Sequence, residues 1–271
     1  MNKKRVLYII LSAVMFISGG ILVFYFFWAN GYFAPPKQAP VETYAEFTYP
    51  SLPDQIEPSA TSEPVTTESG AEGKEGAQYK NPVNFDELHK TNKEIIGWFY
   101  MTSPYVSQPI MMRKNNDGFY LSHDVTTKYS KNGSLFVEYT YNPKPFEDPC
   151  TIIYGHRQSD GAMFGNLQAT LDDIDLTSNP QYIVIYLPNS TKIYHIVATV
   201  THDNSHILHY NKFSKKADYE AFINKVYSSK GESVQLVKDE KPKYGDKLLI
   251  LSACLRTDRT KRYLVIAKEL T

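Results

Sequence analysis

The sequence predicts a mostly β protein, a barrel or sandwich of short strands with few helices, preceded by one membrane-spanning helix. Three observations predict this class. Short apolar runs, separated by Gly, Pro, Asn and Asp, recur from about residue 81 to the C-terminus. One longer segment has a clear helical period, and an uncharged apolar stretch lies near the N-terminus. The 21 tyrosines suit strands as well, because aromatic residues are enriched in sheets.

The N-terminal stretch Val6–Trp28 is uncharged and long enough, at 23 residues, to cross a bilayer as a helix. The basic residues Lys3, Lys4 and Arg5 precede it, and it ends in an aromatic cluster typical of a membrane interface. We therefore expect an uncleaved signal anchor over residues 6–28, with residues 1–5 cytoplasmic and the remainder outside. A cleaved secretory signal, which would release the protein, is the alternative.

Residues 29–80 are predicted to form an extracellular flexible linker. From residue 33 the segment is rich in Pro, Glu, Thr, Ser, Ala and Gly, and it has no sustained apolar period. Such a composition buries too little apolar surface to offset the entropy lost on ordering. The folded domain is therefore predicted to span residues 81–271.

The domain is predicted to begin with a short amphipathic helix around Phe85 and Leu88, capped by Asn84 or Asp86. The apolar stripe of the segment Ala217–Ser229 predicts a second helix. The remaining apolar runs predict strands, which are Ile95–Met101, Val106–Met112, Gly133–Thr140, Thr151–Tyr154, Tyr182–Leu187, Ile193–His202, Val234–Val237, Leu248–Ala253 and Tyr263–Ala267.

Charge and histidine content exclude some classes of function. Lys+Arg and Asp+Glu are equal at 29 each, so the chain has no basic excess for a nucleic-acid partner. His202, His206 and His209 cluster near Asp203 in a pattern that can bind zinc. No cysteine joins them, and the chemistry described next needs no metal, so we predict neither a metal nor another cofactor.

Three residues at predicted strand ends could form a site for nucleophilic acyl chemistry. Cys254 ends one strand, Arg262 begins the next, and His156 follows the strand that ends at Tyr154. Histidine can activate a thiol and later protonate a leaving amine. A thiolate needs nearby positive charge, and an oxyanion needs a fixed donor. The antiparallel return after Cys254 would supply both through Arg262.

The chain resembles the sortases, the membrane-anchored cysteine transpeptidases of Gram-positive bacteria, and most closely class B. The matching segments are NKEIIGWFYM (92–101), SKNGSLFVEY (130–139), TIIYGHRQSDGAMFGNL (151–167) and LLILSACLRTDRTKRYLVIAK (248–268). The resemblance implies a closed β-barrel of about eight strands. It makes Cys254 the nucleophile, His156 its acid/base partner and Arg262 the oxyanion and substrate clamp. One departure is Ala253, because threonine usually precedes the cysteine in this family.

The resemblance also implies the substrates, the partners and the location. A class B sortase cleaves an N-P-x-T-x-like C-terminal sorting signal of secreted proteins through a thioacyl enzyme. It then joins the protein to an amine of a cell-wall precursor at the outer face of the membrane. By resemblance, Ser252, Leu121 and Met163 would line the peptide groove. A pilin-polymerising sortase, a secreted cysteine peptidase and an inactive peptide-binding module are the alternatives.

Several nearby residues receive simpler interpretations. Cys150 is predicted to be a free structural thiol, because a disulfide to Cys254 would abolish activity. Asp160 could orient His156, but an aspartate before Gly161 more commonly forms a turn. Arg256 and Arg259 lie in the loop after Cys254, where charged side chains are usually solvated, so Arg262 is preferred.

Overall fold

The computed structural model describes residues 81–255, 257–258 and 260–270. The predicted cytoplasmic segment, membrane anchor and linker (residues 1–5, 6–28 and 29–80) lie outside these residues, as do Arg256 and Arg259. In the described part of the chain, no helix has the length and apolar character needed to cross a membrane.

The described chain contains nine strands and four α-helices. The strands are β1 (Ile95–Thr102), β2 (Tyr105–Met111), β3 (Leu135–Phe136), β4 (Cys150–Tyr154), β5 (Tyr182–Leu187), β6 (Ser190–His202), β7 (Gln235–Leu236), β8 (Leu248–Cys254) and β9 (Arg262–Glu269). The helices are α1 (Phe85–Thr91), α2 (Leu167–Asp172), α3 (Ile207–Tyr210) and α4 (Lys216–Tyr227), and 3₁₀ turns lie at Phe119–Leu121 and Lys238–Glu240.

Eight of these strands form a closed barrel, which confirms the predicted β-barrel of about eight strands. The hydrogen-bonded order is β5-β1-β2-β3-β4-β8-β9-β6, and a pairing between β5 and β6 closes the ring. The β2–β3 and β4–β8 pairs are parallel, and the others in the ring are antiparallel. The two-residue strand β7 pairs with β6 and is not part of the closed ring. Closure leaves the eight barrel strands with few unpaired edges.

Alternation along the strands divides the buried side chains between the barrel interior and its outer face. On β8, the side chains of Leu249, Leu251 and Ala253 belong to one buried cluster with residues of β1, β2, β5 and β9. The intervening Leu248 and Ile250 pack on the opposite face, in a cluster with the helix α4. The predicted stripe of α4 is confirmed by its buried residues, which are Tyr219, Phe222, Ile223 and Val226.

The N-terminal helix α1 closes another part of the outer face. Its first buried residue, Phe85, packs in a cluster with Trp98 of β1. Of the two predicted caps, Asn84 is the one observed, because its side-chain oxygen accepts a hydrogen bond from the Glu87 N–H at 3.2 Å. This bond satisfies one of the free N–H groups at the helix start.

The largest difference from the predicted elements concerns β3, which was expected over Gly133–Thr140. Only Leu135 and Phe136 are strand residues, because the chain turns soon afterwards, where the Asn142 N–H donates to the Glu138 carbonyl at 2.9 Å. The helices α2 and α3 were not predicted. They contain six and four residues, which is too short for a helical period to be visible in the sequence.

Candidate active site

The three predicted catalytic residues lie in one row at the end of the barrel where β4 and β8 finish and β9 begins. In the β8–β9 pair Cys254 is opposite Arg262, and in the β9–β6 pair Arg262 is opposite His202. On the other side of β8, Ser252 is in register with Tyr154 of the parallel strand β4. The Gly155 N–H extends this pairing by donating to the Ser252 carbonyl at 3.3 Å. His156 therefore reaches the level of Cys254, and we call the four positions His156, Cys254, Arg262 and His202 the catalytic row.

The thiol and the guanidinium are in direct contact. Arg262 Nη1 lies 3.7 Å from Cys254 Sγ, and both residues are partly buried. The same Nη1 donates to the carbonyl of Lys261 at 3.3 Å. The contact places a positively charged group directly beside the sulfur. It also offers a donor to negative charge that develops beside the sulfur.

His156 is oriented by a backbone carbonyl from a distant loop. Its Nε2 lies 2.8 Å from the carbonyl oxygen of Leu121. A carbonyl can only accept a hydrogen bond, so Nε2 must carry the proton. In the neutral ring this leaves the lone pair on Nδ1, and Nδ1 is then the nitrogen that can exchange a proton with the thiol.

Gly155 allows the chain to bring His156 to this position. A Cβ atom at residue 155 would lie 2.6 Å from side-chain atoms of Leu135 and Phe164, which is closer than real Cβ contacts. Both neighbours belong to the interior core. Glycine is therefore required by close packing between the end of β4 and the core.

The unusual Ala253 lies on the opposite face of β8 from Cys254. It is 3% exposed, pairs with Tyr263 and packs in the interior core. The side chain of the threonine usual in the family would point into the same core from this position. The alanine therefore removes no hydroxyl from the outer face that carries Cys254.

A cavity of about 170 Å³ adjoins the row on the outer face of the barrel. Ser252 lines it, as predicted for a groove residue, although only 5% of Ser252 is exposed. The guanidinium-bearing Arg262 borders the same cavity. The other lining residues come from β4, the end of β6, the following turn and the start of α3, and are Tyr154, His202, Asn204, Ser205, His206 and Ile207. A larger cavity of about 310 Å³ lies beside α4 and contains none of the catalytic candidates.

The other two predicted groove residues differ in their surroundings. Leu121 is 50% exposed and lies beside His156, which its carbonyl contacts. Met163 is 3% exposed and packs in the interior core with Phe164 and Leu167. A peptide bound at the surface would not contact the Met163 side chain at this depth.

A polar pair beside the cavity, His206 with Glu138, was not predicted from the sequence. Nε2 of His206 lies 2.8 Å from a carboxylate oxygen of Glu138, and Nδ1 of His206 accepts the His209 N–H at 3.1 Å. Burial, together with the Glu138 carboxylate, raises the pKa of the Tyr154 hydroxyl well above its usual value. Tyr154 is therefore an uncharged donor at the cavity wall. Glu138 lies in a segment that matches the family, but its partners come from distant parts of the chain.

The remaining candidates have structural roles. Among the described residues, no group of three or more His, Cys, Asp and Glu side chains is arranged to hold a metal ion. Asp160 accepts the Ala162 N–H at 3.0 Å, which is the turn role expected for it. Cys150 is 2% exposed, and burial raises its pKa. It pairs with Leu248, six residues before Cys254, which places the two thiols roughly 20 Å apart.

Comparison with known proteins supports the family suggested by these residues. The family model described as the sortase domain matches residues 106–270. Sortase B of Listeria monocytogenes is 31% identical over 187 residues, which cover 68% of this chain and 72% of that protein. Sortase B of Staphylococcus aureus is 28% identical over 191 residues, covering 68% of this chain and 73% of that protein.

Solved structures of class B sortases share the fold. Sortase B of Bacillus anthracis superposes with a TM-score of 0.58 at 28% identity, covering 69% of this chain and 82% of that structure. Sortase B of L. monocytogenes gives a TM-score of 0.55 at 28% identity, covering 69% of this chain and all of that structure. A S. aureus sortase B solved as a substrate complex, at 22% identity, shares the fold with a TM-score of 0.54, and 69% of this chain covers 84% of it.

Proposed function

Because this chain belongs to the sortase family of transpeptidases, we propose that it anchors secreted proteins to the cell wall as a class B-type enzyme. It would cleave an N-P-x-T-x-like sorting signal near the C-terminus of its substrates. It would then join the new carboxyl end to an amine of a cell-wall precursor. The observation that carries the proposal is the contact between Arg262 and Cys254, at 3.7 Å, beside the end of β4, which His156 follows.

The reaction begins with the Cys254 thiolate attacking the carbonyl carbon of the scissile peptide bond. A carbon–sulfur bond forms, and the carbonyl oxygen takes the negative charge. Arg262, which contacts the thiol, can donate to this oxygen, because its guanidinium presents several donors in a fixed plane. Strand pairing holds Arg262 opposite Cys254, so the guanidinium needs little reorganisation during the reaction.

Collapse of this intermediate breaks the peptide carbon–nitrogen bond. His156, as imidazolium, gives a proton to the departing amine, which leaves a thioester on Cys254. The incoming wall amine then attacks the thioester carbon, and His156 takes the proton that this amine loses. The thiolate departs, so the enzyme returns to its starting state.

Substrate binding is proposed for the cavity beside Arg262. It is lined by hydroxyl, amide and imidazole groups together with the apolar Ile207, and it borders Ser252. An extended peptide in this cavity would reach Cys254 along the outer face of β8. The exposed Leu121 beside His156 would contact the substrate on the other side of the thiol.

Location is proposed from the sequence alone. The basic residues 3–5 and the apolar segment 6–28 favour a single-pass membrane protein with a cytoplasmic N-terminus. The linker 29–80 would then hold the catalytic domain at the outer surface of a Gram-positive cell, where substrate and wall precursor meet.

The test uses the full chain in detergent micelles beside its Cys254→Ala variant. Both are incubated with N-P-x-T-x and L-P-x-T-G peptide panels and an amine acceptor, and the products are identified by mass spectrometry. The proposal expects an N-P-x-T-x product that carries the acceptor and requires Cys254. Cleavage by water in the presence of acceptor amines would support a peptidase. The absence of any Cys254-dependent product would support a binding module.

A further inference from the structure

The loop that orients His156 is held by a polar network outside the catalytic row. The Leu121 carbonyl, which accepts from His156 Nε2, ends the 3₁₀ turn Phe119–Leu121. This turn has three residues and few bonds of its own. Side chains from both ends of the β1–β2 hairpin hold it in place.

Glu94, just before β1, is the centre of this network. Its two carboxylate oxygens each lie 2.9 Å from Nε of Arg113, which follows β2, and one also lies 2.9 Å from Nη2 of Arg113. The carboxylate accepts a further hydrogen bond from the hydroxyl of Tyr120, which is 1% exposed. Asn92 donates to the same hydroxyl at 2.8 Å. The residue next to Leu121 is thereby fixed to the start of β1.

Arg113 also holds the first residue of the turn. Its guanidinium carbon lies 3.4 Å from the centroid of the Phe119 ring. The His123 ring is stacked on Phe119 with a centroid distance of 3.8 Å and an interplanar angle of 13°. Two groups this close to one ring must occupy its opposite faces, so Phe119 is enclosed between a cation and an imidazole.

Gly133 approaches the Tyr120 and Leu121 carbonyls directly. It has a φ of +63°, and a Cβ atom there would lie 2.6 Å from the carbonyl oxygens of both Tyr120 and Leu121. The Ser134 N–H donates to the Tyr120 carbonyl at 2.9 Å. A side chain at residue 133 would therefore displace the group that orients His156 without touching the ion pair.

We propose that Glu94 and Arg113 are positioning residues for catalysis, acting on His156 through the Leu121 carbonyl. The inference rests on the proposed role of His156 as acid and base. With the network intact, the carbonyl keeps the proton on Nε2 and leaves Nδ1 free for exchange with the thiol. Without the network the carbonyl shifts, the imidazole loses its fixed orientation, and proton transfer slows.

The test combines peptide kinetics with nitrogen NMR of the full chain labelled in histidine. The variants are Arg113→Met, which removes the charge and the fork, Arg113→Lys, which keeps the charge alone, and Gly133→Ala. The His156 signals are assigned by comparison with His156→Gln. Lys192→Met is the matched control, because Lys192 and Glu269 form a partly buried ion pair at 2.5 Å away from the catalytic row.

Arg113→Met and Gly133→Ala are expected to lower kcat by roughly 10- to 100-fold with little change in KM. Arg113→Lys is expected to recover part of the loss. In both damaging variants the neutral His156 ring should shift from the Nε2–H form toward a mixture of tautomers. Lys192→Met should leave the His156 tautomer and kcat unchanged.

A His156 ring that keeps the wild-type tautomer in a folded Arg113→Met variant would overturn the inference, whatever the rate. Arg113 is partly exposed, so this variant should fold even if Gly133→Ala does not. The NMR measurement needs no turnover. If wild type shows no Cys254-dependent transfer, the proposed function fails while the orientation of His156 is still decided.

Discussion

The two sides of the catalytic row are built in different ways. Cys254 and Arg262 are opposite each other in one antiparallel pair, separated by seven intervening residues, and the barrel's own hydrogen bonds set their contact. His156 lies beyond the end of β4 and is oriented by Leu121, 35 positions earlier in the chain. One side is fixed by strand register and the other by loop side chains. Substitutions on the two sides should therefore fail in different ways.

The largest expected effect separates the two cysteines. Cys254→Ala removes the attacking atom and should lower acyl transfer by more than about 10⁴-fold. Cys150→Ala should leave the rate within a few fold, because its buried thiol lies on the other end of β4. Peptide turnover followed by mass spectrometry measures both. Equal damage from the two substitutions would contradict the assignment of the nucleophile.

Arg262→Lys tests the side of the catalytic row that contains Cys254 and Arg262, which strand register fixes. Lysine keeps the positive charge but loses the planar fork, so it cannot hold the thiol and a developing oxyanion together. We expect kcat/KM to fall roughly 10²- to 10³-fold, the usual cost of losing an oxyanion donor. The circular dichroism and melting temperature should be unchanged, since backbone pairing holds β9. A variant that retains more than a third of wild-type activity would show that charge alone is sufficient.

Gly155→Ala tests the other side at the end of β4. The added methyl would meet Leu135 and Phe164 at 2.6 Å, and overpacking of this kind typically costs about 1–3 kcal/mol. We expect a lower free energy of unfolding in urea together with a reduced kcat, because His156 moves with residue 155. Gly118→Ala is the control, since a Cβ there meets nothing within 4 Å. Equal stability of the two variants would show that the core accommodates the methyl.

The smallest expected effect is a pH dependence of stability at Glu94. Burial alone would raise the pKa of this carboxyl, but hydrogen bonds from Arg113 and Tyr120 outweigh it and lower the pKa below its usual value. The folded state thus favours the carboxylate, so its stabilisation is present above the unfolded pKa, near 4.3, and is lost as pH falls through the folded value.

Comparison of wild type with Glu94→Gln by urea unfolding measures this effect. The difference in the free energy of unfolding should be at most about 1 kcal/mol at pH 7, because the pair is partly exposed. The two proteins should converge as pH falls below the folded-state pKa of Glu94. A difference that grows as pH falls would mean that the carboxylate is not stabilised in the folded state.

Much of the barrel and of the reactive pair could be predicted from the sequence. Short alternating apolar runs specify strands locally, and the hairpin around Cys254 and Arg262 needs only a short connection to bring them together. The apolar stripe of α4 was also visible in the sequence, because it too is a local pattern. Strand pairing is a backbone property, so a residue at a strand end keeps its neighbour whatever the remote loops do.

The tertiary structure decided what those residues face. Ala253 lies in the interior, Ser252 lines the outer cavity and Met163 is buried, because closure of the barrel fixes which side of each strand is inside. His156, Glu94 and Glu138 each contact a partner from another segment of the chain. No local pattern marks such contacts, since they exist only when the loops pack against the ends of the strands. The sequence by itself thus determined the strands and the reactive groups, and the packing of distant segments decided their orientation.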